Sequence, residues 1–267
     1  MNSLDVTLAP ATRTSLLIFI EVIFWIYVPI SFICVARYAT RQFQAGQLIN
    51  GKNAPLPFTV SGPIGWGFIV CILGFIFLQS AFYIILLMVG ISGLLIENGR
   101  TAEEQFGLKR LKPVRALSWS LLVFGAVMLV EAPLTEFVMW IFKKIHLPSP
   151  EQETVETFRH LNRPSDIFWF IFQAACISPI IEELFFRGYL LTFLKKHTST
   201  WMALVLSAGI FAFAHANLAI ALPLWFLGLV LGIAYENTGS LLLPIGIHAC
   251  WNLVTALSLL LDKGNSS

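Results

Sequence analysis

A long run without any charged side chain is the feature that most constrains how this sequence can fold. Residues 198–235 contain no Asp, Glu, Lys or Arg. As one helix this run would be about 57 Å long, whereas the hydrocarbon core of a bilayer is about 30 Å thick. We therefore predict that the run breaks near Asn217 and Pro223, giving two membrane spans at 200–216 and 219–236.

Further apolar segments predict that the chain crosses the membrane several times. Each is long enough for a transmembrane helix, which needs about 20 mostly apolar residues. We predict an all-α, polytopic membrane helical bundle of seven transmembrane helices, or eight if the second segment breaks into a hairpin near Gly90 and Gly93. The remaining predicted spans are 14–36, 65–96, 115–142, 167–194 and 241–261.

The composition excludes other classes of protein. Apolar residues make up 57% of the 267-residue chain and charged residues only 12%, about half the share of roughly 25% found in soluble domains. A disordered chain and a water-soluble globule are both incompatible with these values. The net charge of +2 is too small to indicate a nucleic-acid partner. The lipid bilayer is therefore the expected surrounding of this protein.

The fourth predicted span carries two adjacent carboxylates and a guanidinium. Glu183 and Arg187 are four residues apart, so they share one helix face and can form an ion pair. In an apolar medium such a pair is the least costly way to keep both charges. Glu182 then has no local cation, and an unpaired carboxylate inside a membrane is a functional candidate. Such a group is suited to act as a general base or acid.

Two histidines and an amide add candidates on the later spans. His215 lies near the end of the fifth span. His248 and Asn252 are one helical turn apart in the last span, and either can donate a hydrogen bond to a developing oxyanion. Weaker candidates are the acidic residues at other membrane positions: Glu21, Glu131, Glu136 and Glu236. Of these, Glu131 and Glu136 are expected to be structural or to line the site.

Three chemistries fit a pocket formed by these residues. In metal-free hydrolysis, Glu182 and His215 polarise a water, while His248 and Asn252 hold the oxyanion. In zinc hydrolysis, Glu182, His215 and His248 are the ligands and Glu183 is the base, although no HExxH motif is present. In ion or proton transport, the same carboxylates and imidazoles form a relay. No cofactor is favoured from the residues, and zinc is the alternative.

The three groups together resemble the motifs of the CPBP family, the CAAX-protease and bacteriocin-processing membrane proteins, also called the ABI family. That family carries EExxxR, FxxxH and HxxxN on successive spans. The corresponding segments here are Glu182–Arg187, Phe211–His215 and His248–Asn252. All three are intact and in order, and the resemblance covers about residues 166–261.

The resemblance implies a CAAX prenyl protease-like intramembrane endopeptidase of the glutamate type, or a metalloprotease if zinc is bound. It implies Glu182 and His215 as the catalytic pair, His248 and Asn252 as the oxyanion site, and Glu183 with Arg187 as supporting residues. The alternative is a non-proteolytic bacteriocin-immunity scaffold or an ion- or proton-coupled transporter.

The expected partner of an endopeptidase of this kind is a membrane-anchored or lipidated polypeptide, cut near its C-terminus. The short chain favours a prokaryotic inner membrane as its location. Three regions are expected: N-terminal transmembrane helices and loops at 1–165, the catalytic transmembrane core at 166–261, and a short tail at 262–267.

Overall fold

The protein is helical throughout the part of the chain that the structure describes. This computed structural model describes residues 10–44, 99, 101–148 and 153–266, and every regular element within them is a helix. The predicted all-α class is therefore confirmed. The predicted second span at 65–96, with its hairpin alternative, lies outside the described residues.

The helices follow the predicted spans closely. Four stretches among the described residues are long and apolar enough to cross a membrane: Pro113–Lys144, Pro164–His197, Leu218–Thr238 and Leu242–Lys263. They correspond to the spans predicted at 115–142, 167–194, 219–236 and 241–261. The helices are α1 (Pro10–Gln44), α2 (Ala102–Phe106), α3 (Pro113–Lys144), α4 (Glu153–His160), α5 (Pro164–His197), α6 (Thr200–Phe213), α7 (Ala221–Thr238) and α8 (Leu242–Ser266).

The charge-free run does break near Asn217. Helix α6 ends at Phe213, three residues earlier than the predicted span, and a short 3₁₀ turn at Leu218–Ile220 leads into α7. The Asn217 side chain begins that turn by accepting a hydrogen bond from the Ala219 N–H at 3.0 Å. Pro223 is not a break point, because it lies in the first turn of α7, where a missing N–H is tolerated.

Helix α5 alternates between α and π geometry. The segments Pro164–Phe172, Ser178–Glu183 and Thr192–His197 are α-helical, whereas Gln173–Ile177 and Leu184–Leu191 are π-helical. Each π turn adds a residue and rotates the next segment of the helix, and such turns are frequent at functional sites. The predicted acidic pair lies at the end of the central α segment, between the two π turns.

The core is formed by α5, α6, α7 and α8. Phe186, Phe211, Leu227 and Ile247 are buried within one apolar cluster shared by these helices. Close contact between α6 and α7 depends on Gly228, since a Cβ there would lie 3.0 Å from the Ala208 Cα. Membrane helices commonly meet through small residues in this way, because the hydrophobic effect does not drive their association in lipid.

Helix α1 packs against α3 in the antiparallel direction. The rings of Tyr38 and Trp119 are 4.8 Å apart. Ser31, which comes earlier in α1, lies against Gly125, which comes later in α3. The C-terminal end of α1 and the N-terminal end of α3 are therefore on the same side of the bundle. The predicted first span, 14–36, lies entirely within α1.

Polar contacts fix the C-terminal ends of α5 and α7 to their neighbours. Lys195 donates to both carboxylate oxygens of Glu236, at 2.7 and 2.8 Å. The Tyr235 hydroxyl donates to the Gln105 carbonyl at 3.1 Å, which ties α2 to α7. Glu236 is thus the buried partner of Lys195, and this ion pair holds α5 and α7 together. Its role in the fold is structural.

We predict that Gly246→Ala destabilises the protein, because the new methyl group would meet the Ser120 side chain where α8 contacts α3. Its Cβ would lie 2.9 Å from the Ser120 Cβ, which is fixed by the backbone. Overpacking of this kind costs about 1–3 kcal/mol, and thermal unfolding in detergent should show a lower Tm.

Gly209→Ala is the matched control, since a Cβ there meets only the Trp225 ring, at 3.9 Å. Alanine is also the better helix former, so this variant should keep or raise the Tm. An equal Tm for the two variants would contradict the close contact between α3 and α8.

Candidate active site

The predicted ion pair between Glu183 and Arg187 is present and fully buried. Arg187 Nη1 lies 2.6 Å from Glu183 Oε1, and both side chains are at most 1% exposed. Arg187 Nη2 also donates to the Gly228 carbonyl at 3.2 Å, so the guanidinium links α5 to α7. Its charge lies 4.6 Å from the centre of the Phe211 ring, a cation–π contact that helps to hold a cation away from water.

His248 is held by the same carboxylate oxygen. Its Nδ1 is 2.9 Å from Glu183 Oε1, and because a carboxylate only accepts, Nδ1 carries the hydrogen. The other ring nitrogen, Nε2, is 3.8 Å from Glu182 Oε2. The imidazole therefore has one nitrogen fixed by a buried ion pair and the other directed toward the second carboxylate.

Glu182 is more accessible than its neighbour. Its side chain is 20% exposed, whereas that of Glu183 is completely buried. The 3.8 Å gap to His248 is too long for a direct hydrogen bond. Within the described part of the chain, Glu182 Oε2 has no hydrogen-bond partner. Glu183 Oε2 is also without such a partner among the described residues, so Glu182 differs by its greater exposure and by the imidazole nitrogen that its free oxygen faces.

His215 lies just beyond the end of α6, next to the Phe211 ring. Its Nδ1 is 2.8 Å from the Phe211 carbonyl, which only accepts, so Nδ1 carries the hydrogen and Nε2 has a free lone pair. The Phe211 ring contacts both imidazoles edge to face, with centroids 4.9 Å from His215 and 5.7 Å from His248. One aromatic ring therefore contacts both of the predicted catalytic histidines.

Asn252 is attached to the backbone of α5. Its Nδ2 donates to the Ala174 carbonyl at 2.8 Å. Ala174 lies in the first π turn of α5. One amide hydrogen of Asn252 is engaged there, and the second is not used by that bond.

Three of the weaker acidic candidates are not brought into this arrangement by any contact among the described residues, and the side chain of Glu21 lies outside what the structure describes. Glu131 is 1% exposed in α3, and neither carboxylate oxygen has a hydrogen-bond partner in that part of the chain. Glu136 is exposed on the same helix. Glu236 belongs to the separate ion pair with Lys195.

Sequence reasoning missed two contributors to the site. Phe211 contacts Arg187 and both histidines, whereas the sequence identified it only as the first residue of the FxxxH motif and assigned it no role. The Gly228 carbonyl accepts from Arg187, and no sequence signal identifies a backbone acceptor on another helix. Only the requirement that every N–H of a buried guanidinium needs an acceptor could have suggested that such a group exists.

A zinc ion would require Glu182, His215 and His248 to point at one centre, as three ligands of a tetrahedral site do. Across residues 10–44, 101–148 and 153–266, no three His, Cys, Asp or Glu side chains are grouped in a way that could hold a metal ion. Glu183, the base in the zinc alternative, is also occupied by Arg187 and His248. These donors do not fit the zinc alternative.

Comparison with known proteins finds a relative that matches part of the chain. An uncharacterised 24.3 kDa protein of Escherichia coli is 27% identical over 88 residues, which are 31% of this chain and 41% of that protein. The chain thus spans less than half the length of the curated relative it matches. No solved structure is significantly similar.

A family model describes the segment that contains the site. Residues 164–254 match the model for type II CAAX prenyl endopeptidase Rce1-like proteins. The match includes all three motifs, from Glu182 to Asn252. Residues 164–254 are therefore similar to Rce1-like CAAX proteases, and this is the segment in which the three motifs lie.

Proposed function

We propose that this protein is an intramembrane endopeptidase of the CAAX protease type, which hydrolyses a peptide bond without a metal. The observation that carries the proposal is the position of Glu182. Its unused carboxylate oxygen lies 3.8 Å from His248 Nε2, within the family match. A carboxylate and a fixed imidazole this close together can both contact one water or one substrate carbonyl that binds beside them.

Glu182 and His215 would activate the nucleophilic water. Glu182 takes a proton as the water oxygen attacks the peptide carbonyl carbon, and the free lone pair of His215 Nε2 accepts the second hydrogen bond of the water. The resulting tetrahedral intermediate collapses when the C–N bond breaks. Glu182 returns its proton to the leaving amine, so the enzyme regains its starting state.

His248 would stabilise the oxyanion of that intermediate. An oxyanion donor needs a hydrogen on Nε2, and the ring then carries a positive charge because Nδ1 is already protonated toward Glu183. The two neighbouring carboxylates stabilise such a cation by Coulomb attraction. Asn252 is the second oxyanion donor that the sequence motifs predict, and in the structure its amide already donates to the Ala174 carbonyl.

The proposed substrate is a membrane-anchored or lipidated polypeptide that is cut near its C-terminus. The apolar helices around the site favour a position within a bilayer, where an anchored chain can reach it by lateral diffusion. The family model is named for CAAX prenyl endopeptidases, which supports this class of substrate. We propose a prokaryotic inner membrane as the location, in line with the Escherichia coli relative.

Cleavage of membrane-anchored peptides tests the catalytic pair. Glu182→Gln keeps the size of the side chain but removes the base, and we expect it to lower kcat by roughly 10²-fold or more. His215→Ala should have an effect of similar size. The assay uses the purified full chain with a set of prenylated and acylated peptides, and mass spectrometry identifies the products.

Glu136→Gln is the control, because it removes a membrane-helix carboxylate that lies exposed on α3, and it should cleave like the wild type. If the Glu182 and His215 variants cleave at the wild-type rate, the proposed site is wrong. If the wild type cuts no peptide but moves protons or ions in liposomes, the transporter alternative replaces the endopeptidase.

We predict that cleavage does not depend on a bound metal. The activity should persist after dialysis against EDTA and phenanthroline, and elemental analysis of the active protein should find no stoichiometric zinc. Zinc that is lost together with activity, and restores it when added back, would favour the metalloprotease alternative.

Breaking the buried ion pair should destabilise the whole protein. In Glu183→Gln, Arg187 keeps its charge without a counterion, and removing one partner of a buried pair costs about 3–5 kcal/mol. The Tm in detergent should fall accordingly.

In the double variant Glu183→Gln/Arg187→Met no charge of this pair remains buried, so much of that Tm loss should be recovered. Cleavage should stay low in the double variant because His248 has lost its anionic partner. If the Tm loss of the double variant equals the sum of the losses in Glu183→Gln and Arg187→Met, the two residues do not act as a pair.

A further inference from the structure

The hydrogen bond between Asn252 and Ala174 joins two helices that each carry part of the proposed site. Asn252 lies one turn beyond His248 on α8, and Ala174 lies two turns before Glu182 on α5. A second bond, from His248 Nδ1 to Glu183 at 2.9 Å, joins the same two helices. These two hydrogen bonds limit how far α5 can slide or rotate against α8.

The Ala174 carbonyl is available to Asn252 because the backbone of α5 leaves it without a donor. In α geometry its donor would be the N–H of Ser178, but that N–H donates to the Gln173 carbonyl in the π turn. In π geometry its donor would be the N–H of residue 179, and residue 179 is a proline, which has none. The π turn and Pro179 together therefore leave one acceptor free.

A free carbonyl is costly at this depth. Water is scarce in the hydrocarbon region of a bilayer, so an unsatisfied backbone group there is strongly unfavourable. The Asn252 amide supplies the missing donor at 2.8 Å. An alanine or leucine at this position would leave the carbonyl unsatisfied and the π turn without its contact to α8.

We propose that Asn252 is a positioning residue: its amide satisfies the Ala174 carbonyl and thereby keeps the π turn of α5, which sets the position of Glu182 relative to His248. Its contribution to cleavage comes mainly from the bond to Ala174 rather than from contact with the substrate. This inference rests on the proposed endopeptidase function, although the bond itself can be tested without a substrate.

The proposal predicts that a backbone donor can replace the amide. Pro179→Ala restores an N–H in α5 at the position from which a π turn donates to the Ala174 carbonyl, so that the carbonyl can be satisfied while the π turn is kept. We therefore compare the wild type, Asn252→Ala, Pro179→Ala and the double variant, each as the full chain in detergent. The measurements are the Tm and, for the best peptide substrate, kcat and KM separately.

Asn252→Ala should lower the Tm and reduce kcat by roughly 10-fold to 10²-fold with little change in KM, because misplacement of catalytic groups by about 1 Å has effects of this size. Pro179→Ala alone should behave like the wild type. The double variant should regain the Tm and most of kcat, since the carbonyl again has a donor.

Two results would overturn the proposal. A double variant that regains the Tm but stays as slow as Asn252→Ala would show that the amide acts on the oxyanion. If the double variant regains neither the Tm nor kcat, although Pro179→Ala alone behaves like the wild type, the role of Asn252 does not depend on its bond to the Ala174 carbonyl. If the wild type cleaves no peptide, the proposed function fails, and the Tm comparison still decides whether the bond is structural.

Discussion

The buried contact among Glu183, Arg187 and His248 is the interaction on which the rest of the site depends. One carboxylate oxygen accepts from both basic side chains, and the guanidinium also reaches the Gly228 carbonyl. These bonds involve α5, α7 and α8, so one charged cluster sets the relative positions of three helices. Since a buried charge without its partner is very unfavourable, the helices cannot separate without a large cost in free energy.

The same cluster divides the roles of two adjacent glutamates. Glu183 is fully buried and engaged, which leaves the more exposed Glu182 free for chemistry. Of the two Glu183 oxygens, Oε1 carries these bonds, and Oε2 has no hydrogen-bond partner among the described residues. Here the arginine and the histidine fix Glu183, so the position of the second carboxylate depends on the backbone of α5 and on the π turns on either side of it.

The sequence predicts those features that depend on local spacing or on hydropathy. The spans at 115–142, 167–194, 219–236 and 241–261 follow from apolar length, and the Glu183–Arg187 pair follows from a four-residue spacing. The π turns could not be predicted, because apolar length and four-residue spacing do not distinguish α from π geometry. The partners of Asn252 and Glu236 lie 78 and 41 residues away, so only the fold brings them together.

Helix α6 has a consequence for the membrane around the protein. It spans Thr200–Phe213, about 21 Å of axial rise, and falls short of the roughly 30 Å hydrocarbon layer. A helix shorter than the bilayer creates hydrophobic mismatch, which lipids relieve by thinning locally. Beyond its end, Ala216 adopts a left-handed backbone conformation, with φ at 49°, and the turn there presents polar backbone groups. Thinned lipid at this place would shorten the route by which water reaches His215, so the rate of the proposed hydrolysis would depend on the thickness of the host membrane.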